Sequence, residues 1–382
     1  METPFLYINE KNNIYYNKKM PDSDGIDNEI DMVPEKQLYS NNQEVQINTI
    51  INKNDISCNE NLIKILKKEN PKILDDYEIK ENIGSGSESV VYKAIHKKSK
   101  RIIAIKFILI GENKSRNYTE FNIIKKIKHK NIICFYGLQE IKKNELDCIV
   151  MEYAKFGNIR DFQKNILKKK DLSEQILCFF ACQILDGLKH CHKCKIAHFD
   201  IKPQNIIIDD YLNAKLIDFS VSLDYSKTNS NRITLPFRGT NFYMAPEVIK
   251  RKKINVKDLN KVDLYSLGVV LYHLAFYSYP YDLNSEDTKD YDRISNKIEN
   301  NTLTFNDEDN CYSKHFIDFV TQLLQKDIDK RMNINEALNH YWIKAGDLLF
   351  NEKEKTYNAG CFLINLITDH IRSYDQYINK TE

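Results

Sequence analysis

Long apolar runs are missing from this chain of 382 residues. None approaches the roughly 20 residues that cross a bilayer. The first residues, METPFLYINEKNN, lack the apolar core of a secretion signal, and position 2 is Glu2 rather than the glycine that myristoylation needs. An excess of charge of one sign is also missing. Lysine and arginine number 56 against 54 acidic residues, a net charge of +2, so no global field draws in nucleic acid or an anionic membrane. Neither is expected as a partner. A paired set of cysteines is absent too. The nine cysteines are an odd count, scattered through apolar segments such as IICFYG and ILCFFACQIL, where small buried thiols of a reducing compartment are ordinary. Cys178, Cys182, Cys191 and Cys194 do not read as a zinc site. If residues 173–192 form one helix, Cys178 and Cys191 stand about 20 Å apart along its axis, too far for one ion. The expectation is a soluble intracellular protein, cytoplasmic, with the nucleus also open to it.

A sustained hydrophobic period is lacking over residues 1–60, which are rich in Asn, Asp, Lys and Glu, and this stretch reads as a disordered extension. Beyond residue 60 the chain is patterned. NLIKILKKENPKIL puts Leu62, Ile65 and Leu66 on one face of a short helix within 61–75. From Asp76 the β-branched alternation of YEIKENIG, SVVYKAIH and RIIAIKFIL predicts three strands. A helix over YTEFNIIKKIKH comes next, then strands around IICFYGLQEI and LDCIVMEYA. Beyond Asp161 helical patterns dominate, notably LSEQILCFFACQILDGLKHCH and VDLYSLGVVLYHLAFY. The fold class is therefore α+β: a small antiparallel β-sheet lobe with one main helix over 76–154, and a larger, mostly helical lobe over 155–345. Residues 282–310 are polar and acidic and read as a mobile connection. A terminal stripe of Phe362, Leu363, Leu366, Ile367 and Ile371 predicts a helix within the extension 346–382. KRKK at 250–253 reads as a solvated loop.

Chemistry concentrates in two places. Residues 83–92, IGSGSESVVY, hold Gly84 and Gly86, with Ser89 at a third glycine position. Glycines let backbone amides approach phosphates, but a dinucleotide site needs a helix directly afterwards, and SVVYKAIH is strand-like. The turn belongs to a hairpin. Residues 198–205 read HFDIKPQN, and DFS comes later at 218–220. Asp200 can orient a hydroxyl and take its proton, Lys202 can neutralise a phosphoryl group, and Asn205 with Asp218 offers the oxygen ligands that magnesium accepts. That is the inventory of phosphoryl transfer.

In order, the glycine hairpin, IAIK ending at Lys106, Glu120, VMEYA, HFDIKPQN, DFS, GTNFYMAPE at 239–247, VDLYSLG and KDIDKR resemble the eukaryotic protein kinases of serine/threonine type, over about residues 76–345. The resemblance implies the two-lobed protein kinase fold, ATP and Mg2+ as cofactors, and a protein substrate, and leaves the oligomeric state open. It implies that Ile83, Gly84, Ser85 and Gly86 cover the nucleotide phosphates, that Lys106 contacts them while paired to Glu120, and that Val91, Ala104 and Ile207 sandwich adenine. Met151 would guard the back of that pocket, and the backbone of Glu152 to Ala154 would hydrogen-bond the base. Asp200 and Lys202 would be catalytic, and Asn205 and Asp218 would hold the metal. Glu247 would pair with Arg331, and Asp263 would anchor the catalytic loop. Lys202 and Thr240 match the serine/threonine type. Asn158 and Gln204 stand where arginine-selecting kinases commonly carry acids, so strong selection of basic peptides is not expected.

Two residues depart from the pattern. Phe199 replaces an arginine that in many kinases binds an activation-loop phosphate, so activity is expected not to depend strictly on that phosphate. Ser220 replaces a glycine whose backbone freedom helps the segment turn. Neither removes a catalytic group. The competing reading is a nucleotide-binding pseudokinase acting as a scaffold or allosteric partner, which the intact polar set argues against. A third, a kinase-fold enzyme acting on a small molecule, is opposed by the peptide-shaping GTNFYMAPE segment.

Overall fold

The computed structural model describes residues 5–8, 14–17, 59–69, 71–86, 89–109, 114–141, 146–167, 172–288, 290–305 and 312–351. Two compact units divide the chain: Asp22–Lys128 with Ile133–Tyr153, and Met1–Pro21 with His129–Ile132 and Ala154–Glu382.

The first unit is built on β-branched alternation. Strands Tyr77–Ser85, Ser89–His96, Ile102–Leu109, Phe135–Ile141 and Leu146–Glu152 form one antiparallel sheet in which the third strand pairs with the fifth, and the fifth with the fourth. Alternate residues face opposite ways. Val90, Tyr92, Ala94, Ile103, Ile105, Phe107, Cys148 and Val150 all enter one buried cluster. The register places Val91 opposite Lys106 and Ala104 opposite Met151, so these four share the other face. The cluster is closed by the helices Asn59–Glu69 and Pro71–Asp76, whose Leu62, Leu66 and Ile73 are fully buried in it. Leu62 and Leu66 are one turn apart and fall on one face. Leu66→Ala should therefore lower the stability of this unit by about 3 kcal/mol, read as a shifted denaturation midpoint with an unchanged slope. A loss below about 0.5 kcal/mol would mean that the helix does not cover the sheet in solution.

The second unit is mostly helical. Helix Glu174–Lys193 begins after Ser173, and helix Lys261–Phe276 is buried continuously from Val262 to Ala275, as a helix apolar nearly all round must be. Three two-stranded antiparallel ribbons frame its loops: Ile196–Ala197 with Leu223–Asp224, Ile206–Ile208 with Ala214–Leu216, and Arg232–Thr234 with Lys253–Asn255.

Residues 282–310 are not simply a connection. Helix Tyr291–Asn300 starts at Asp290, whose side chain accepts the Arg293 amide at 2.9 Å, and buries Ile294 and Ile298. Buried Asp287 anchors it through Arg293 and Lys297, each at 2.7 Å. Two apolar residues in ten leave the composition polar and hide the helix. KRKK is solvent-exposed as expected, with Lys250 paired to Glu299, Arg251 5.1 Å over the Phe237 ring and Lys253 at the start of a strand.

In the N-terminal 60 residues, the described strands Phe5–Ile8 and Ile14–Asn17 pair with each other. The expected helix over Phe362–Ile371 lies outside the described residues, while helix Tyr341–Asn351 precedes it. Among the described residues no helix is long and apolar enough to cross a membrane, and no group of three His, Cys, Asp or Glu could hold a metal ion. Cys148, Cys182, Cys191 and Cys194 are free thiols. Burial pushes the Cys148 and Cys191 thiols up, so both stay protonated and unreactive at neutral pH.

Candidate active site

In the sheet unit, Lys106 extends from the middle of its strand and donates from Nζ to Glu120 Oε1 at 2.8 Å and Oε2 at 3.0 Å. Glu120 comes from helix Lys114–Lys126, and both side chains are largely shielded from water. Fourteen residues of separation are closed by the end of the strand, a connection and about two helical turns. The strand register puts Val91, Ala104 and Met151 around Lys106 on its face of the sheet. The glycine hairpin is tied where the Gly86 amide donates to the Ser89 carbonyl at 2.8 Å, and the Gly84 amide donates to Asn82 Oδ1 at 3.0 Å. Ile83, on the outer strand of that hairpin, is 43% exposed. At the sheet's end the Glu152 amide donates to the Cys134 carbonyl, and Glu152 Oε2 accepts the Cys134 amide.

In the helical unit, Asp263 builds the loop that carries Asp200. It is fully buried and accepts the amides of His198 at 2.9 Å and Phe199 at 2.8 Å, and the His192 ring at 2.9 Å. Burial alone would raise its carboxyl; the His192 hydrogen bond and the His198 amide outweigh that and hold it below the usual range. Those two backbone bonds fix Phe199 at φ 66°, a left-handed conformation unfavourable for a bulky residue. Asp218 is also left-handed, at φ 63°. Beside it, His198 Nε2 donates to the Ile217 carbonyl at 3.0 Å, while its Nδ1 accepts the Asp200 amide at 3.3 Å, so the ring is neutral. The fully buried Phe219 ring lies tilted against it, 4.7 Å away.

Asp200 is enclosed by donors. Thr240 Oγ1 reaches Oδ1 at 2.7 Å, and Lys202 Nζ and Asn205 Nδ2 reach Oδ2 at 2.7 and 2.9 Å. Lys202 also donates to Thr240 Oγ1 at 2.8 Å. A carboxylate has about four acceptor sites, so these donors leave room for one more, an incoming hydroxyl. Asn205 spends its amide nitrogen on the Asp200 side chain and carbonyl, which leaves Oδ1 as its remaining ligand atom. Its carbonyl accepts the Ile217 amide at 3.0 Å, so Asp218 comes directly after the bonded neighbour. One amide oxygen and one carboxylate are hard oxygen donors that suit magnesium.

The second unit also holds Ala154, whose carbonyl accepts the Gly157 amide, and half-buried Ile207, paired with Lys215. The sequence-expected residues thus gather into two sets, one in each unit. Thr240 is legible in the sequence as part of a motif but not as a group that touches Asp200; only its spacing before YMAPE could signal it. Gly239 next to it approaches the loop so closely that a Cβ would lie 2.4 Å from the Phe199 carbonyl oxygen, at φ 108°.

A family model described as protein kinase domain matches residues 77–343. Curated relatives include serine/threonine-protein kinase 4 homolog B of Dictyostelium discoideum, 32% identical over 266 residues, or 69% of this chain and 23% of that protein. Serine/threonine-protein kinase pakG of the same organism is 36% identical over 258 residues, 68% of this chain and 21% of that protein. Human myosin-IIIa is 32% identical over 282 residues, 72% of this chain and 17% of that protein. The chain spans about a fifth of the length of these relatives.

Proposed function

This chain belongs to the protein kinase family, and on that premise we propose that it transfers the γ-phosphoryl group of ATP to serine or threonine hydroxyls of proteins. The observation that carries the reading is the hydrogen-bonded set of Asp200, Lys202, Asn205 and Thr240. Asp200 orients the acceptor hydroxyl and takes its proton as the oxygen attacks phosphorus. Lys202 offsets charge on the moving phosphoryl group, and Thr240 keeps lysine and carboxylate in register. Lys106, aligned by Glu120, steadies the nucleotide phosphates. Asn205 and Asp218 would hold magnesium, which supplies charge neutralisation at the phosphates when bound. Radiolabelled transfer from ATP to a mixed peptide library tests this. Transfer that disappears in Asp200→Asn is expected; magnesium-dependent nucleotide binding without any transfer would favour the nucleotide-binding scaffold instead.

The activation segment, by the same reading, does not require a phosphate to hold its form. Phe199 is 5% exposed and presents no cation to an incoming phosphate. The segment has other ties: strand Arg232–Thr234 pairs with Lys253–Asn255, the Leu235 amide donates to the Lys252 carbonyl at 3.0 Å, and Arg238 Nη1 donates to the Val221 and Ser222 carbonyls at 3.2 Å. Combined alanine substitution of Thr228, Ser230 and Thr234 should leave most of the peptide kinase activity. Near-total loss in a folded triple variant would overturn this view.

A further inference from the structure

We infer that Arg160 forms an acid-reading subsite beside the catalytic loop, so that this protein favours peptides carrying Asp or Glu near the acceptor hydroxyl. The inference rests on the protein kinase reading and names its substrate class. Arg160 lies in the helical turn Ile159–Asp161, which packs on the Pro203–Asn205 turn of the catalytic loop and on the strand Ile206–Ile208. Its guanidinium donates from Nη1 to Gln163 Oε1 at 2.9 Å and lies 4.2 Å over the Tyr277 ring. Among the described residues it has no ion pair with a carboxylate. Its neighbour Asp161 is turned instead to Asn158, whose Nδ2 donates to Asp161 Oδ2 at 2.5 Å. A guanidinium has five N–H donors in a fork that matches a carboxylate, and a neutral amide occupies only one.

The surroundings keep that charge available. Tyr277 is 50% exposed and ends helix Lys261–Phe276 in a left-handed conformation, φ 53°, so cation and ring meet at the surface. Behind them the rings run on toward the reaction centre: His273 stacks on Tyr277 at 6.2 Å and on Tyr279 at 4.4 Å, and Tyr279 meets Tyr243 at 5.8 Å. Burial, then the Arg160 charge, push His273 down to about 4, so it is neutral at pH 7 and neither competes for an anion nor cancels one. From Tyr243 the path closes on the reaction centre, because its amide donates to the Thr240 carbonyl at 2.9 Å and Thr240 Oγ1 donates to Asp200. Burial pushes the Tyr243 hydroxyl up; among the lesser influences Arg160 pulls it down and Asp200 raises it, which puts both charges in range of one ring. The nearby Asn158 and Gln204 are neutral and offer nothing to a basic peptide. Stacking on Tyr277 leaves the guanidinium partly desolvated and preoriented, the condition in which an arginine binds a carboxylate well.

The experiment uses the full chain with Mg-ATP and serine peptides in which Asp, Ala or Lys is placed in turn at each position around the acceptor. Wild type should show kcat/KM roughly tenfold higher for the best-placed Asp than for Ala. Arg160→Gln should bring that ratio close to one, Arg160→Lys should restore part of it, and Arg160→Glu should turn it in favour of Lys. Phosphorylation with no acid preference, or a preference that survives Arg160→Gln, overturns the subsite while leaving the kinase reading intact. Failure to phosphorylate any peptide overturns both. The wild-type ratio needs no variant, so a misfolded substitution does not blunt the test.

Discussion

Asp200→Asn should lower kcat by about a thousandfold while leaving the fold and Mg-ATP binding nearly intact. The asparagine keeps the volume of the aspartate but reverses part of its chemistry. The wild-type carboxylate accepts from Thr240, Lys202 and Asn205 together, and it is the proposed base among them. An amide can accept on one oxygen only, so its NH2 must face at least one of those donors, and it cannot take the acceptor's proton at all. Loss of the proton acceptor removes general-base catalysis and the charge that orients Lys202; the remaining rate reflects positioning by the rest of the site. Single-turnover transfer to a peptide, beside calorimetric titration with Mg-ATP, separates the two effects. A variant rate within tenfold of wild type would show that Asp200 is not the base.

The largest effect on stability is expected from Arg331→Met. Arg331 is 1% exposed and is matched by Glu247 in a two-pronged pair, Nη1 to Oε1 at 2.6 Å and Nη2 to Oε2 at 3.0 Å. Its other donors meet the carbonyls of Gln325 and Lys261, each at 3.0 Å, and its flat face lies 4.9 Å from the Tyr265 ring. The methionine fills much of the volume but strands the Glu247 carboxylate in the interior. Breaking a buried pair from one side costs about 3 to 5 kcal/mol, because the surviving charge has no water and no partner. Glu247 lies in the first turn of the short helix Pro246–Ile249, at the end of the segment expected to be the activation segment, so activity should fall with stability. Adding Glu247→Leu to Arg331→Met removes the stranded charge and should recover a substantial part of the loss. Denaturant unfolding of the two single variants and the double variant forms the cycle that checks it. A single-variant loss under about 1 kcal/mol would mean that the carboxylate is solvated or paired elsewhere.

How much of this is legible in the sequence depends on the range of the interactions. The strands at Tyr77–Ser85, Ser89–His96 and Ile102–Leu109 are visible because alternation is a property of neighbours, and the long helix Glu174–Lys193 because its period repeats over five turns. Helix Tyr291–Asn300 is not, since only Ile294 and Ile298 carry its apolar face and its start depends on the Asp290 cap. Asp200, Lys202 and Asn205 are readable together because they lie within six residues of one another in one loop. Nothing marks Arg160 in the sequence, where it stands between Ile159 and Asp161 like any exposed helical residue. Its isolation from carboxylates depends on the Asn158 to Asp161 bond and on the arrival of Tyr277 from a distant helix.

The order of glycine hairpin, lysine, catalytic loop and DFS pointed by itself to the family, and to the reaction class and groups proposed here, because such motifs are written in short local spacings. Only the tertiary structure decided which charges are spent and which remain. Glu247 and Arg331 cancel across 84 residues, and Asp263 is consumed by the His198 and Phe199 amides 65 and 64 residues away. Asp200 keeps an open acceptor, and Arg160 keeps open donors. Pairing of charges falls steeply with distance and depends on burial, and neither quantity exists in a chain until it has folded.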